Sequence, residues 1–290
     1  MAATVTAQSL VHYWESALLP LLEAREPQTV IEVGSHEGEN TRRLAEWARE
    51  HGALVHAIDP KPQFDTAAYV REWEGHLAVH EDLSLEALPA IGPADMVLID
   101  GDHNWYTVFN ELSQLDEIND EWPLVAMHDV GWPWGRRDMY YAPDTLPAEY
   151  VLPNRRGGAL PLRSELAEVG LPQGTGRYLL KAEREGGPRN GVLTAVEDFL
   201  GATERDLLLF AQSGFGGLGI LAGAEELGQN PGLVRALASI HDPEFTVTIS
   251  PLYGTREFGE ARMPPAGAPR RRPGFFSRVR RRAGRSLSRA

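Results

Sequence analysis

Acidic and imidazole side chains stand directly after two apolar runs of this sequence. Asp100 follows the run Met-Val-Leu-Ile at 96–99, and His128 and Asp129 end the run that starts at 123. If these runs are neighbouring parallel strands, ~4.8 Å apart, their carboxylates can meet one cation at the same edge of the sheet. Ligands rich in oxygen suit Mg²⁺ or Mn²⁺. Asp100, His128 and Asp129 are therefore candidate metal ligands, although His128 could equally face the core.

His103 could act at the same edge as a general base. An imidazole with its ordinary pKa of about 6.5 takes up a proton near neutral pH, so it can deprotonate a hydroxyl group. The residue is flanked by Asp102 and Trp105 after an apolar run. A lone histidine is more often structural or exposed, and that alternative stays open at this point.

A second candidate site is the stretch 30–41, Val-Ile-Glu-Val-Gly-Ser-His-Glu-Gly-Glu-Asn-Thr. Its pattern predicts a strand, a glycine turn and a helix, which is the ligand-binding crossover of an open α/β sheet. Gly34 and Gly38 allow positive φ and a close approach to a ligand. The spacing is G-x-x-x-G, whereas dinucleotide folds have G-x-G-x-x-G. Ser35 and Asn40 could cap the helix or bind the ligand, and the helix N-terminus favours an anionic group.

Two further acids follow predicted strands. Asp59 comes 25 residues after Gly34, at the end of the second predicted strand, where a carboxylate can accept both hydroxyls of a ribose. An Asp59-Pro60 turn explains the residue equally well. Asp82 follows the third predicted strand and would lie near the edge of an adenine, but a surface acid would look the same.

The elements that must position these residues alternate along the chain. Strands are predicted at 29–34, 53–58, 77–80, 94–99 and 123–128, with helices at 7–24, 40–51, 65–74 and 104–118, the first one breaking near Pro20. A helix at 191–201, an antiparallel hairpin at 206–212 and 217–223, and a helix at 231–240 follow. Strands that alternate with helices predict an α/β fold with a three-layer, Rossmann-like open sheet that is mostly parallel.

Residues 131–190 break this alternation and are rich in Pro, Gly, Trp, Tyr and Arg. A loop of this length is often functional, so we call it the lid segment and predict within it a helix at 162–169. Aromatic rings can stack on a sugar or an aromatic substrate, and arginines can clamp a phosphate or a carboxylate. The same residues could form the lid's own core, with the arginines paired to acids. The candidate substrate contacts are Trp132, Trp134, Arg136, Arg137 and Tyr140.

Composition limits the possible classes of protein. The 290 residues include no cysteine, which excludes disulfides and thiolate sites, and no run approaches the ~20 apolar residues of a membrane span. The net charge is −13, but residues 270–290 hold nine arginines and no acid. We expect one domain over 1–263 that binds no specific nucleic acid, and a disordered basic tail over 264–290. Without a recognisable signal peptide, a cytoplasmic protein is expected, and its tail could contact the inner face of a membrane, nucleic acid or the acidic domain itself.

Three motifs together resemble the class I S-adenosylmethionine-dependent methyltransferases: E-V-G-x-x-x-G at 32–38, the acid at 59, and I-D-G-D-H at 99–103. With M-H-D-V at 127–130, the sequence is similar to the metal-dependent O-methyltransferases grouped with cephalosporin hydroxylase-type proteins. The resemblance implies a seven-stranded sheet, His103 as the base, and a divalent ion at Asp100, His128 and Asp129. His128 departs from the usual pair of acids or Asp–Asn pair. The implied S-adenosylmethionine contacts are Glu32, Gly34, Ser35, Gly38, Asn40, Thr41, Asp59, Asp82 and Asp100.

The function expected from these features is methylation of a hydroxyl on a sugar-containing or secondary metabolite, with a small molecule or a glycan as acceptor. A nicotinamide-dependent oxidoreductase is the alternative from another class, but the missing second glycine and the C-terminal hairpin weigh against it. A relative that keeps the cofactor pocket without methylating is the third hypothesis. The N-terminal helix and the acidic surface are compatible with a homodimer.

Overall fold

The computed structural model describes residues 9–156, 179–212 and 216–240, and a seven-stranded sheet forms its centre. The strands of this sheet are β1 Thr29–Val33, β2 Leu54–Ile58, β3 Leu77–His80, β4 Met96–Ile99, β5 Leu124–His128, β9 Leu207–Gln212 and β10 Leu218–Gly223. Their spatial order is β3-β2-β1-β4-β5-β10-β9. Strand β10 runs antiparallel to both neighbours, and the other pairs are parallel.

Helices cover both faces of the sheet. The helices are α1 Leu19–Arg25, α2 Glu39–His51, α3 Thr66–Glu72, α4 Ser84–Ile91, α5 Trp105–Ile118, α6 Val192–Ala202, α7 Ala224–Gln229 and α8 Pro231–Ile240. Helices α1, α2 and α8 share one apolar core with the sheet. Helices α4, α5 and α6 share another on the opposite face. The central strands are apolar along their whole length because both faces are covered. The predicted three-layer α/β fold with its C-terminal antiparallel hairpin is confirmed.

Most predicted elements lie within a few residues of the observed ones, with three differences. The leading helix predicted over 7–24 is a 3₁₀ turn at Leu10–Tyr13, a π turn at Trp14–Leu18 and then α1. Pro20 lies in the first turn of α1, where a proline without an N–H group costs no hydrogen bond. Helices α4 and α7 were absent from the prediction, and α4 contains Pro89, which interrupts its helical pattern.

The described part of the lid segment carries a small sheet of its own. Strands β6 Met139–Tyr140, β8 Leu180–Ala182 and β7 Asn154–Arg156 pair in that order, antiparallel throughout. The helix predicted at 162–169 and the basic tail at 264–290 lie outside the described residues. Over the ranges that the structure describes, the helices are too short or too polar to cross a membrane.

Candidate active site

The carboxyl ends of β4 and β5 bring the predicted catalytic residues together. The two strands pair in parallel with Ile99 opposite Met127, so Asp100 and His128 leave the sheet side by side. Asp129 follows with φ of +63°, the left-handed conformation that Asp tolerates better than most residues. This turn directs the Asp129 carboxylate back over the edge, next to His103.

Two carboxylates and two imidazoles form a continuous chain at this edge. Nδ1 of His103 lies 2.8 Å from Oδ2 of Asp129. Nδ1 of His128 lies 3.1 Å from Oδ1 of Asp100 and 3.3 Å from Oδ2 of Asp129. His103, His128 and Asp129 are buried, whereas Asp100 is half-buried. The edge can therefore hold or move a proton out of contact with bulk water.

Opposite charges at this edge shift the pKa values in opposite directions. Burial alone would lower the pKa of His103, but the charge of Asp129 and its hydrogen bond outweigh burial and raise it above the ordinary value. Asp129 and Asp100 raise the pKa of His128 in the same way. Burial would raise the pKa of Asp129, yet the two imidazoles hold it well below the usual range. Both histidines therefore have a stronger tendency to be protonated than free imidazole.

The side chains that could hold a metal ion differ by one member from the predicted set. Ligand atoms of Asp100, His103 and Asp129 all lie within 4.8 Å of one another. His128 lies beside this group, but its Nε2 faces the backbone of Gly216, where a Cβ would come within 2.7 Å of it. Two carboxylates and one imidazole are a suitable donor set for Mn²⁺ or Mg²⁺. His103 thus joins Asp100 and Asp129 in this group, while Nδ1 of His128 lies 3.1 Å from Asp100 and 3.3 Å from Asp129 and remains a second candidate nitrogen ligand.

The N-terminal segment also reaches this edge. The backbone N–H of Leu10 donates to Oδ2 of Asp100 at 2.9 Å, and the ring of Tyr13 lies 6.0 Å from that of His128. Burial and the nearby charges of Asp129 and Asp100 raise the pKa of Tyr13 to about 12, so its phenol stays neutral. The segment before α1 therefore forms one wall of the site.

The glycine turn after β1 has its predicted conformation, but protein atoms explain both glycines. Gly34 has φ of +91°, and a Cβ there would lie 2.3 Å from the carbonyl oxygen of Asp100. Gly38 has φ of +76°, and a Cβ there would lie 2.8 Å from the ring of Phe64. The absence of side chains at these positions lets β4 and an aromatic ring pack against the turn.

Glu32, in β1, stabilises this turn through hydrogen bonds to the start of α2. Its carboxylate is buried and accepts hydrogen bonds from Nδ2 of Asn40 at 2.8 Å and from Oγ1 of Thr41 at 2.5 Å. Burial raises the pKa of Glu32 to about 7, while the two hydrogen bonds oppose that rise. Because Glu32 and Thr41 are buried and bonded to each other, they hold the conformation of the turn. Their expected contact with the cofactor stays a prediction.

Other polar atoms at the turn are available to a ligand. Oγ of Ser35 and Oδ1 of Asn40 are buried and have no hydrogen-bond partner among the residues that the structure describes. Asp59 accepts the backbone N–H of His36 through Oδ2 and that of Lys61 through Oδ1, each at 2.8 Å. Each of these oxygens keeps one free lone pair. Asp82 is exposed at the far edge of the sheet, after β3. Ser35, Asn40 and Asp59 therefore offer oxygen atoms on the glycine turn that could accept hydrogen bonds from a ligand.

Several residues of the lid segment that were predicted to contact substrate are buried or bonded to other protein groups. Arg136 forms a double ion pair with Glu197, both N–O distances being 2.6 Å. Arg137 is buried and donates to the carbonyl of Ala182, with Glu185 also close by. Trp134 and Tyr140 are buried, and Trp132 is half-buried. The burial of Trp134, Arg137 and Tyr140 favours the alternative that the lid forms its own core, and substrate contact by the lid segment stays a prediction.

The exposed aromatic residue of this region is Tyr141, which the sequence analysis did not select. Its side chain is 60% exposed, and its hydroxyl oxygen lies 3.5 Å from Nε2 of His103. The two rings are 5.7 Å apart. Tyr140 ends β6 and is buried, with its hydroxyl bonded to Asp138, whereas Tyr141 follows the strand and lies beside His103. No local pattern in the sequence distinguishes the two tyrosines.

Comparison with known proteins gives a similarity over part of the chain. Residues 31–130 match a family model described as a methyltransferase domain. No curated protein matches the chain. Among solved structures, the methyltransferase PaMTH1 of Podospora anserina, bound to S-adenosylhomocysteine, is 15% identical over 75% of this chain and 80% of that one, with a TM-score of 0.46. The 1,6-didemethyltoxoflavin-N1-methyltransferase of Burkholderia thailandensis is 14% identical over 72% and 80%, with a TM-score of 0.40.

The matched segment runs from β1 to the turn after β5, so it contains the glycine turn, Asp59, Asp100, His103 and Asp129. These are the residues on which the resemblance in the sequence rested. The sheet has the predicted seven strands with the antiparallel strand next to last in spatial order. Residues 31–130 are therefore similar to a methyltransferase domain, and the strands that they include lie in the order that the sequence predicted.

Proposed function

We propose that this protein methylates a hydroxyl oxygen, with His103 as the general base. The observation that carries the proposal is the 2.8 Å contact between Nδ1 of His103 and Oδ2 of Asp129 at the carboxyl edge of the sheet. Asp129 accepts the Nδ1 proton, which leaves the lone pair of a neutral ring on Nε2. Nε2 is the ring nitrogen that lies toward the exposed Tyr141.

The proton balance of the reaction follows from this tautomer. As the acceptor oxygen attacks the methyl carbon, its hydroxyl proton passes to Nε2 of His103, and Asp129 stabilises the imidazolium that results. S-adenosylmethionine, when bound, supplies an electrophilic methyl group whose bonding electron pair remains on sulfur. Alignment of the three reacting centres in one line supplies much of the acceleration, so the protein mainly orients and deprotonates.

The residues around the glycine turn suit that cofactor. The two orphaned acceptors, Oγ of Ser35 and Oδ1 of Asn40, would receive an ammonium group, and the free lone pairs of Asp59 would receive the ribose hydroxyls. Gly34 and Gly38 would contribute backbone, with Asp100 next to them and Asp82 at the adenine end. In this proposal Glu32 and Thr41 keep the turn in shape.

A divalent ion is the second part of the proposal. Asp100 and Asp129 would hold it, with His103 or His128 as the nitrogen ligand, and it would lower the pKa of an acceptor hydroxyl. The base and the ligand role make opposite demands on His103, because a ring nitrogen that binds a metal cannot take up a proton. His128 as the nitrogen ligand leaves His103 free to act as the base.

The charges of the edge favour an acceptor without negative charge. Desolvation around the hydroxyl and the charges of Asp100, Asp129, Asp102 and Asp59 raise the pKa of Tyr141 above the ordinary value, although most of its ring is exposed. Arg136 and Arg137 are engaged by Glu197 and Glu185, so they offer no phosphate clamp here. A sugar or a phenolic metabolite, stacked on Tyr141 with its hydroxyl at His103, suits the site best.

The test begins with the cofactor. Calorimetric titration with S-adenosylmethionine should give heat, and titration with NAD(H) should give none; the reverse result would favour the oxidoreductase. Incubation with hydroxylated sugars and phenols, followed by mass spectrometry, should then give products heavier by one methylene. Binding without any methylated product across neutral acceptors would favour the relative that keeps the pocket without methylating.

A further inference from the structure

Asp138, in the lid segment, is a buried carboxylate with an unusual set of partners. Its Oδ1 accepts the backbone N–H of Trp105 at 2.8 Å and that of Gly191 at 2.6 Å. Its Oδ2 accepts the hydroxyl of Tyr140 at 2.8 Å. The side chain is fully buried. Both oxygens are thus engaged by donors from three separate parts of the chain.

Two of these donors are helix N-termini. Trp105 is the first residue of α5, and Gly191 directly precedes α6. The N-terminus of a helix carries unpaired N–H groups and a partial positive charge, so a carboxylate placed between two such ends is stabilised by both. Asp138 therefore fixes the start of α5 relative to the start of α6.

The start of α5 lies two residues from His103. The backbone N–H of Met139 donates to the carbonyl of His103 itself, at 3.0 Å. Residues 138 and 139 consequently bind the backbone at both His103 and Trp105, and Asn104 between them caps α5 through its side chain. The direction of the His103 imidazole toward Asp129 depends on this backbone.

The third donor connects Asp138 to Tyr141. The hydroxyl of Tyr140 donates to Asp138 and accepts the backbone N–H of Leu152 at 3.0 Å, which holds Tyr140 on the inner side of β6. Tyr141 comes next and faces the site. The same carboxylate thus holds the segments that present the imidazole and the exposed phenol.

We propose that Asp138 is a positioning residue that sets His103 and Tyr141 in a single arrangement around the acceptor. The proposal rests on the role of His103 proposed above. It predicts that a change at Asp138 affects the use of the acceptor and leaves cofactor binding intact, because Ser35, Asn40 and Asp59 do not contact it. A misplacement of about 1 Å can cost up to about 100-fold in rate.

The experiment compares Asp138→Asn with Asp198→Asn. The first variant keeps the volume and one oxygen but loses the charge. The second is a matched control, since Asp198 accepts the indole N–H of the same Trp105, at 2.8 Å, and Asp198→Asn leaves the backbone bond between Trp105 and Asp138 in place. We expect Asp138→Asn to reduce kcat at least about ten-fold with unchanged affinity for S-adenosylhomocysteine, and to shift the imidazole NMR signals of His103. Asp198→Asn should leave kcat and these signals near their wild-type values.

Equal losses in the two variants, or wild-type kcat and His103 signals in Asp138→Asn, would overturn the proposal. The NMR signals distinguish failure of the Asp138 proposal from failure of the base proposal. If His103→Ala keeps full turnover, His103 is not the base. If Asp138→Asn still shifts the His103 signals in that case, Asp138 nevertheless positions the imidazole. If Asp138→Asn does not fold, Tyr140→Phe carries the test. It should raise KM for the acceptor several-fold, and an unchanged KM would reject the connection to Tyr141.

Discussion

Nδ1 of His103 and Oδ2 of Asp129 are 2.8 Å apart, although 26 positions separate these residues in the sequence. The contact exists because β4 and β5 are parallel neighbours whose carboxyl ends share one edge. It sets the tautomer of the imidazole and raises its pKa, so most of the expected chemistry depends on it.

Replacing the imidazole tests the base directly. His103→Ala should lower kcat by roughly 10²–10⁴-fold, the usual contribution of general base catalysis, while affinity for S-adenosylmethionine stays near wild type. Steady-state kinetics and calorimetry measure the two quantities. His51→Ala is the control, since His51 is an exposed residue at the end of α2. Wild-type turnover in His103→Ala would remove this residue from the mechanism.

The pH dependence should report the His103–Asp129 pair. The base works only when neutral, so kcat should rise with pH through the raised pKa of His103. Asp129→Asn removes the negative charge that raises this pKa, so the rising limb should move to lower pH. Asn is well suited to the left-handed φ of +63° at this position. If the rise of kcat occurs at the same pH in Asp129→Asn as in the wild type, a group other than His103 controls the pH dependence.

Removal of divalent ions tests the metal. Dialysis against a chelator should silence activity, and Mg²⁺ or Mn²⁺ should restore it. Independently of activity, Mn²⁺ should raise Tm of the wild type, because a ligand that binds only the folded state stabilises it. The rise should be absent in Asp100→Asn and present in Asp144→Asn, an exposed residue of the lid segment. Full activity in excess chelator, with no change in Tm, contradicts the metal site.

The buried Glu111 should make stability depend on pH. Ser84 donates to one of its oxygens at 2.5 Å, the other has no partner among the described residues, and burial raises its pKa from 4.5 to about 8. Between these two values the folded state binds more protons than the unfolded state, so the free energy of unfolding should fall with rising pH, by on the order of 1 kcal/mol per pH unit at most. Glu111→Gln should lose part of this slope in urea unfolding at several pH values. The exposed Glu50→Gln should keep it, and equal slopes in all three proteins would refute the assignment.

Alanine substitutions at two glycines of similar φ should distinguish the free-energy cost of backbone strain from the cost of steric overlap. Gly52→Ala, with φ of +73° and open space around it, should cost about 1–2 kcal/mol. Gly34→Ala has the same strain, but its Cβ would lie 2.3 Å from the carbonyl oxygen of Asp100, so it should cost about 1–3 kcal/mol more. It should also weaken cofactor binding, because the end of β4 must move. Chemical denaturation measures the loss of stability, and calorimetry measures cofactor affinity. An equal loss of stability in the two variants would show that the structure around Gly34 relaxes to remove the overlap.

The sequence predicted the fold well, because the fold depends on strands with a clear apolar pattern. Asp100 and Asp129 follow such strands, and β4 and β5 place them at the same edge of the sheet as expected. The pattern could not show that the carboxylate of Glu32 accepts a hydrogen bond from Thr41, because that contact depends on side-chain direction within the turn.

Asp138 and Tyr141 could not be selected from the sequence for a different reason. They lie in a segment without helical or strand periodicity, where nothing predicts which side chains face inward. The contacts that give Asp138 its importance come from Trp105 and Gly191, at the starts of two distant helices. Such long-range backbone hydrogen bonds leave no local signal.

The position of β10 between β5 and β9 has a consequence for how the protein is made. Leu218 pairs with His128, and the backbone of Gly216 packs against the imidazole ring of His128. On the ribosome, about ninety residues must be added after His128 before this strand exists to pair with β5. Until then β5 has an open edge, and the imidazole of His128 lacks one wall. The proton-handling groups therefore acquire their final surroundings late in synthesis, when β10 pairs with β5 and Gly216 packs against His128.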